Sequence, residues 1–515
     1  MAMRRSAVAS FALVAGLLLL ASSPFASSQS IASVAVANNL TLLVQGVQAS
    51  GQATFLSNAS LTITAFAPTD AAFQQLVTDL GITAADLLAL GTSLAPIFSY
   101  HLLPTPVRAA DVPTTATPVV TLLAGSNLTV VRNGGTVTVS SVGSDANVTV
   151  ADVAATGSVV HVVNAVLLPF FKNIASAAIR TPSLSTLLAA VQAANLTSTL
   201  ANPALNVTLF APTNDAFTRT LAPLGLTVDA LVARPALLAD ILRYHVVPQQ
   251  IPASAATATA AAFPTLLTGK NVSVVAVNGG VQVTPIGGSA ATVTAANLAV
   301  GVGPRSYIHL IDHVLLPFPT TIATAASQAG LSILLAAVQA SNDTSLLAAL
   351  NNATFPATVL APTNAAFTSL LTSLGLTSAQ LLADQANLNR ILRAHIISGA
   401  VKSSALTDGQ TVTTLGGAPL TVRISGGTVR FVAAKSNATV VAADVSVNAD
   451  TSIVHVIDAV LIPADALNPA PSSPPPPPSG GSAGAAKPSA AVTAVAALVA
   501  GAWLYMAPAG RRSWF

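Results

Sequence analysis

The sequence predicts an α+β fold built three times over, and three observations predict it. The segment Thr64-Ala-Phe-Ala-Pro-Thr-Asp-Ala-Ala-Phe73 returns as Thr208-Leu-Phe-Ala-Pro-Thr-Asn-Asp-Ala-Phe217 and as Thr358-Val-Leu-Ala-Pro-Thr-Asn-Ala-Ala-Phe367. A histidine-centred apolar segment closes each repeat: Val160-His161 to Pro169, Ile308-His309 to Pro317 and Val454-His455 to Pro463. Within each repeat the apolar pattern changes from helical spacing to strict alternation around glycine turns.

The repeats are regular in placement. Pro68, Pro212 and Pro362 are 144 and 150 residues apart, and His101, His245 and His395 keep the same separations. That period is too long for a solenoid unit, so each repeat is a domain. The boundaries expected are 29–170, 171–318 and 319–464.

The helical half comes first. Leu187-Leu-Ala-Ala-Val191-Gln and Leu334-Leu-Ala-Ala-Val338-Gln show core-facing helical spacing, and Val47-Gln48 sits at the matching place. Thr208 to Phe210 reads as a short buried strand. The Pro-Thr-Asn/Asp that follows suits a helix start, where Thr or Asn can cap exposed amides. Phe217 then falls on the inner face of that helix. The β half follows: Leu128 to Val139 alternates on both sides of an Asn-Gly turn in Asn133-Gly134-Gly135, and Asn278-Gly279-Gly280 and Ser425-Gly426-Gly427 hold the same place. Such residues permit positive φ and match hairpin twist.

Composition narrows the function. Half the residues are hydrophobic (52%) and 7% are charged, so three cores are easily filled. All 17 acidic residues are Asp, which excludes glutamate chemistry. There is no cysteine, which excludes thiol catalysis, Cys-ligated zinc and iron–sulfur clusters. Domains of this size stand on burial without disulfides. The N-terminus reads as a signal peptide over 1–28: Arg4 and Arg5, an apolar run from Ala7 to Ala21, then Ala26-Ser27-Ser28. Without residues 1–28 and 483–515 the chain carries 15 basic and 17 acidic residues. No basic cluster remains, so nucleic-acid binding is excluded as a partner class.

The repeated segment, the Tyr100-His101 and Tyr244-His245 pairs and the terminal His161, His309 and His455 strands together resemble the fasciclin domain family. The resemblance covers roughly residues 30–464. It implies a β-sandwich wedged with helices, tandem and extracellular, with a role in adhesion to cell-surface or matrix proteins and glycans. The order of signal, tandem domains, Pro-rich stretch and apolar tail is similar to plant and algal fasciclin-like arabinogalactan proteins. One departure is Ala394 before His395, where the other repeats have Tyr.

Several residues are candidates for function. In animal relatives the Tyr-His region is linked to integrin contact, so the resemblance implies a contact surface at Tyr100, His101, Tyr244 and His245; core packing is the alternative. Asp240-Ile241 is similar to short integrin-binding segments. The repeated histidines could serve a metal or a general base. Each repeat offers only two, in apolar sequence and without a carboxylate cluster, so the reading is structural, with the ring donating to a backbone carbonyl. Asp312-His313 lacks the Gly-x-Ser-x-Gly elbow of a hydrolase, and Gly301-Val-Gly303 lacks the rest of a phosphate loop. No catalytic residue, metal site or cofactor is expected.

Asn-x-Ser/Thr sequons occur at Asn39, Asn58, Asn127, Asn147, Asn195, Asn206, Asn271, Asn342, Asn352 and Asn437. Asn127 matches Asn271, Asn195 matches Asn342 and Asn58 matches Asn352 by repeat offset, which favours surface sites that carry sugar. A Pro/Gly/Ser-rich linker is expected over 465–489 and an apolar anchor signal or transmembrane segment over 490–515. The small residues Gly480 to Gly484 favour a glycolipid anchor attached near Ser482; a plain transmembrane helix is the rival. The predicted function is adhesion or contact with matrix or cell wall, outside the cell. The alternative is a binder of small apolar ligands, since similar algal proteins bind carotenoids.

Overall fold

The computed structural model describes residues 29–467 apart from residue 304. The expected leader, Ser482 and the apolar tail lie outside the described residues. The three domains fall in one compact unit.

In the first domain the chain forms α1 (Ile31–Ala37), α2 (Thr41–Ala49), α3 (Ala53–Leu56), β1 (Thr64–Pro68), α4 (Asp70–Leu80), α5 (Ala84–Ala89), α6 (Ala95–Tyr100) and β2 (Leu102–Leu103). Then come β3 (Thr117–Val120), β4 (Asn127–Asn133), β5 (Thr136–Ser140), β6 (Asp145–Ala155) and β7 (Ser158–Val163). The seven strands lie in the order β2-β1-β7-β6-β5-β4-β3, and the other two domains repeat this order. The repeated segment and the histidine strand meet here: β1 and β7 pair in parallel, with Phe66 opposite His161.

Strand β6 pairs with β5 through its first residues and with β7 through the rest, and two register shifts bend it between them. The sheet therefore folds on itself, and β1 is buried along its whole length. Alternation sorts its side chains. Ala65 and Ala67 face the helices, in a core with Phe73, Ile97 and Val162. Phe66 faces the other way, into a second core with Leu128, Val139 and Val163. This is the helix-wedged sandwich that the family resemblance implied.

The repeated motif is a local folding instruction. Thr69, Thr213 and Thr363 each cap the following helix, accepting from the amides of Ala72, Ala216 and Ala366 at 3.2, 3.3 and 3.1 Å. The next residue ties that helix to α2 or its counterpart: the Oδ1 atoms of Asp70, Asn214 and Asn364 accept from Leu42, Thr186 and Ile333 amides at 2.8, 2.9 and 3.0 Å. The phenylalanine completes the unit from the buried face. One hairpin differs from expectation. Asn133 pairs with Thr136, so the first turn is Gly134-Gly135 and not Asn-Gly.

The domains are not beads on a string. Phe170, Phe171 and Phe318 in the linkers are buried. They run so close to the preceding domain that a Cβ on Gly143 or Gly287 would stand 1.9 or 1.6 Å from the carbonyl oxygen of Phe170 or Phe318. In the second and third domains the hairpin tip that precedes the last strand reaches back into the domain before it. Val302 joins the helical core of the first domain and Ala449 that of the second. Asn448 beside it donates to the carbonyls of Leu224 and Ala353 at 3.0 and 2.7 Å. Arg180 also clamps the first domain, binding Asp145 and the carbonyls of Ser141 and Val142.

Candidate functional site

The six repeated histidines occupy two kinds of position. At the end of α6 and its counterparts, Nδ1 of His101, His245 and His395 lies 2.8, 2.7 and 2.7 Å from the carbonyls of Ile97, Ile241 and Ile391. Nε2 of each accepts from a backbone amide, of Leu167, Leu315 and Leu461, at 2.9 Å. A carbonyl only accepts and an amide N–H only donates, so each ring is neutral with its proton on Nδ1. Burial pushes all three pKa values down to about 4.

On the last strand the tautomer is reversed. Nε2 of His161, His309 and His455 donates to Val107, Ile251 and Val401 carbonyls at 2.9, 2.8 and 3.0 Å. Nδ1 accepts from the amides of Asp152, Asn297 and Asp444 at 3.3, 3.2 and 3.2 Å. Those three residues have positive φ at the bend of β6 and its counterparts. Every ring nitrogen is engaged with backbone, which leaves none to hold a metal or take a substrate proton. Asp312 is occupied too, accepting from the Thr292 amide and from His313. Among the described residues no group of three His or Asp side chains could hold a metal ion.

The contact surface expected at Tyr100, His101, Tyr244 and His245 is not a surface. Their exposures are 0, 3, 0 and 1%. Tyr100 and Tyr244 donate from the hydroxyl to the carbonyls of Asn127 and Asn271 at 2.8 and 2.7 Å, and burial raises the Tyr244 pKa to about 12. The physical reason is position. The pair ends a helix that packs on the folded sheet, so the ring fills the inner core and its polar tip finds a strand carbonyl. Ala394 simply leaves that ring out.

The sequon asparagines are placed differently. Asn39, Asn58, Asn127, Asn147, Asn195, Asn206, Asn271, Asn342, Asn352 and Asn437 are all exposed. Asn39, Asn195 and Asn342 sit in left-handed turns.

Sequence reasoning missed a feature of the helical layer. Between α1, α2, α3 and β1 the first domain holds an apolar cavity of about 360 Å³, with Ile31, Val47 and Leu56 in its wall. The second domain has a matching cavity of about 340 Å³, lined by Ile174, Val191 and Leu200. In the third domain only about 30 Å³ remains. The third helix accounts for the difference. It spans four residues in the first two domains, but runs over Thr344–Asn351 in the third and buries Leu346 and Leu350. The signal was in the sequence, as an apolar run from Leu346 to Leu350, but only a comparison between repeats reveals it.

Comparison with known proteins settles the family. The Fasciclin domain family model matches residues 38–169, 182–317 and 329–463. The chain belongs to the fasciclin domain family. Protein sll1483 of Synechocystis sp. is 36% identical over 145 residues, which is 28% of this chain and 73% of that protein. A solved FAS1 domain pair from the insect cell adhesion molecule Fasciclin I is similar over 54% of this chain and 98% of its own, at 18% identity and a TM-score of 0.40. Fasciclin domains occur in adhesion and extracellular proteins, and the family is generally non-enzymatic. No single helix among the described residues is long and apolar enough to cross a membrane.

Proposed function

We propose that this fasciclin array is a non-enzymatic adhesion protein that contacts matrix or cell wall from the outer face of the plasma membrane. The observation that carries the reading is the array itself: three fasciclin domains packed into one unit by buried linkers, with all ten sequon asparagines facing solvent. Glycans at those sites would cover a surface poor in charge, and the engaged histidines offer no catalytic group. The partners are matrix or surface proteins and glycans, and the tail at Ser482 would hold the array through a glycolipid. Repetition adds avidity when several domains engage one extended partner.

The test is a bead assay with the glycosylated chain from its native secretory route. Coated beads should cluster on cell-wall or matrix material, and single-domain beads should bind less. Beads that stay dispersed would overturn the reading. Phospholipase release of the protein from intact cells tests the anchor separately, and retention would mean a transmembrane tail.

A further inference from the structure

The three domains differ at one pair of positions in the helical layer, and in the second domain both of them border the cavity. The first position follows the second helix: Gln52, Leu196 and Asp343. The second lies just before the buried Tyr or Ala that ends α6 and its counterparts: Ser99, Arg243 and Arg393. In the first domain Gln52 donates to Ser99 at 2.9 Å. In the third domain Arg393 binds Asp343 through Nε and Nη2, at 3.0 and 2.6 Å. In the second domain the position facing Arg243 is Leu196, which offers no polar atom. Among the described residues Arg243 meets only Asp240 on its own helix, at 3.2 Å with both side chains about half exposed. Such an exposed pair is worth little and leaves the guanidinium free to turn.

The third domain thus supplies from its own chain both things that the second lacks. Leu346 and Leu350 fill the apolar space, and the Asp343 carboxylate engages the arginine. In the second domain the helix stops at Leu200, the cavity of about 340 Å³ is open, and Arg243 and Leu196 both border it. We propose that the second domain binds a long-chain carboxylic acid, its apolar chain in this cavity and its carboxylate on Arg243. The volume lies at the lower end of ligand pockets, about 300–1,000 Å³, which suits one chain. A planar guanidinium is the donor that matches a carboxylate best. The cavity of the first domain has Gln52 and Ser99 at these positions, so it carries no such preference for an acid. This inference stands apart from the adhesion reading and would survive its failure.

The full chain, stripped of lipid, is titrated with cis-parinaric acid, and palmitic acid and 1-hexadecanol compete for the probe. The acid should displace a saturable fraction of the probe at about tenfold lower concentration than the alcohol. Arg243→Gln, at an exposed side chain, should erase that preference with the fold intact by circular dichroism. Leu196→Asp, which installs the carboxylate of the third domain, should do the same. Absence of saturable uptake would overturn the proposal. So would equal competition by acid and alcohol in the unaltered chain, which would mark a neutral-ligand cavity, or a preference that persists in Arg243→Gln.

Discussion

Protonating His101, His245 or His395 would set a second N–H against the amide of Leu167, Leu315 or Leu461, donor facing donor. Burial opposes the charge as well, and together they hold these rings at about 4, below the ordinary 6.5. The sign of the pH effect follows. Between these two values the unfolded chain takes up protons that the folded chain refuses, so stability is fully present above 6.5 and is lost as pH falls towards 4. Each domain carries one such ring, and each should lose up to about 1.4 kcal/mol per pH unit in that window. Calorimetry from pH 7.5 down to 4.5 should show a flat melting temperature near neutrality and a steady fall below 6.5. A flat profile throughout would mean that the rings titrate in the folded chain as they do in the unfolded one.

Short elements carry this fold, so their ends matter more than their lengths. The helix Asn364–Leu374 starts from the Thr363 cap, and the domain has no cysteine to hold it otherwise. Thr363→Ala should cost about 1 kcal/mol in urea denaturation while Thr363→Ser costs little; equal losses would mean that the methyl packing, not the cap, matters. This cap was legible in the sequence, as were the helix-then-hairpin order and the backbone role of His161, His309 and His455, because each is a local pattern repeated three times. What was not legible depended on distance in the fold. Core packing of Tyr100 was among the readings the sequence offered, but its partner was not, since the hydroxyl finds its carbonyl 27 residues away. Asn133 joined the ladder, and not the turn, because Gly134-Gly135 already satisfied the backbone. The cavities depend on how far a short helix continues, which periodicity in one repeat cannot show.

Across the whole molecule the linkers decide whether three domains act as one body. Gly287→Val would drive a side chain into the Phe318 carbonyl and strip the linker from the second domain. Small-angle scattering should then report a larger radius of gyration, with each domain still folded by circular dichroism. An unchanged radius would show that the hairpin tip alone keeps the domains together.

Those tips also give the array a reading direction. The first domain turns between Ala155 and Ser158 through two residues only, whereas the pairs Val300–Ser306 and Val447–Ser452 bound longer tips in the domains that follow another. The receiving side is graded too: Leu80 and Leu224, beside received tips, are 6 and 9% exposed, and the corresponding Leu374 is 38% exposed. Domain order is therefore an address written into each repeat. A chain with its first two domains exchanged would set a blunt turn against a socket shaped for a plug and leave Val302 in water. A domain added after the third must bring a long tip of its own.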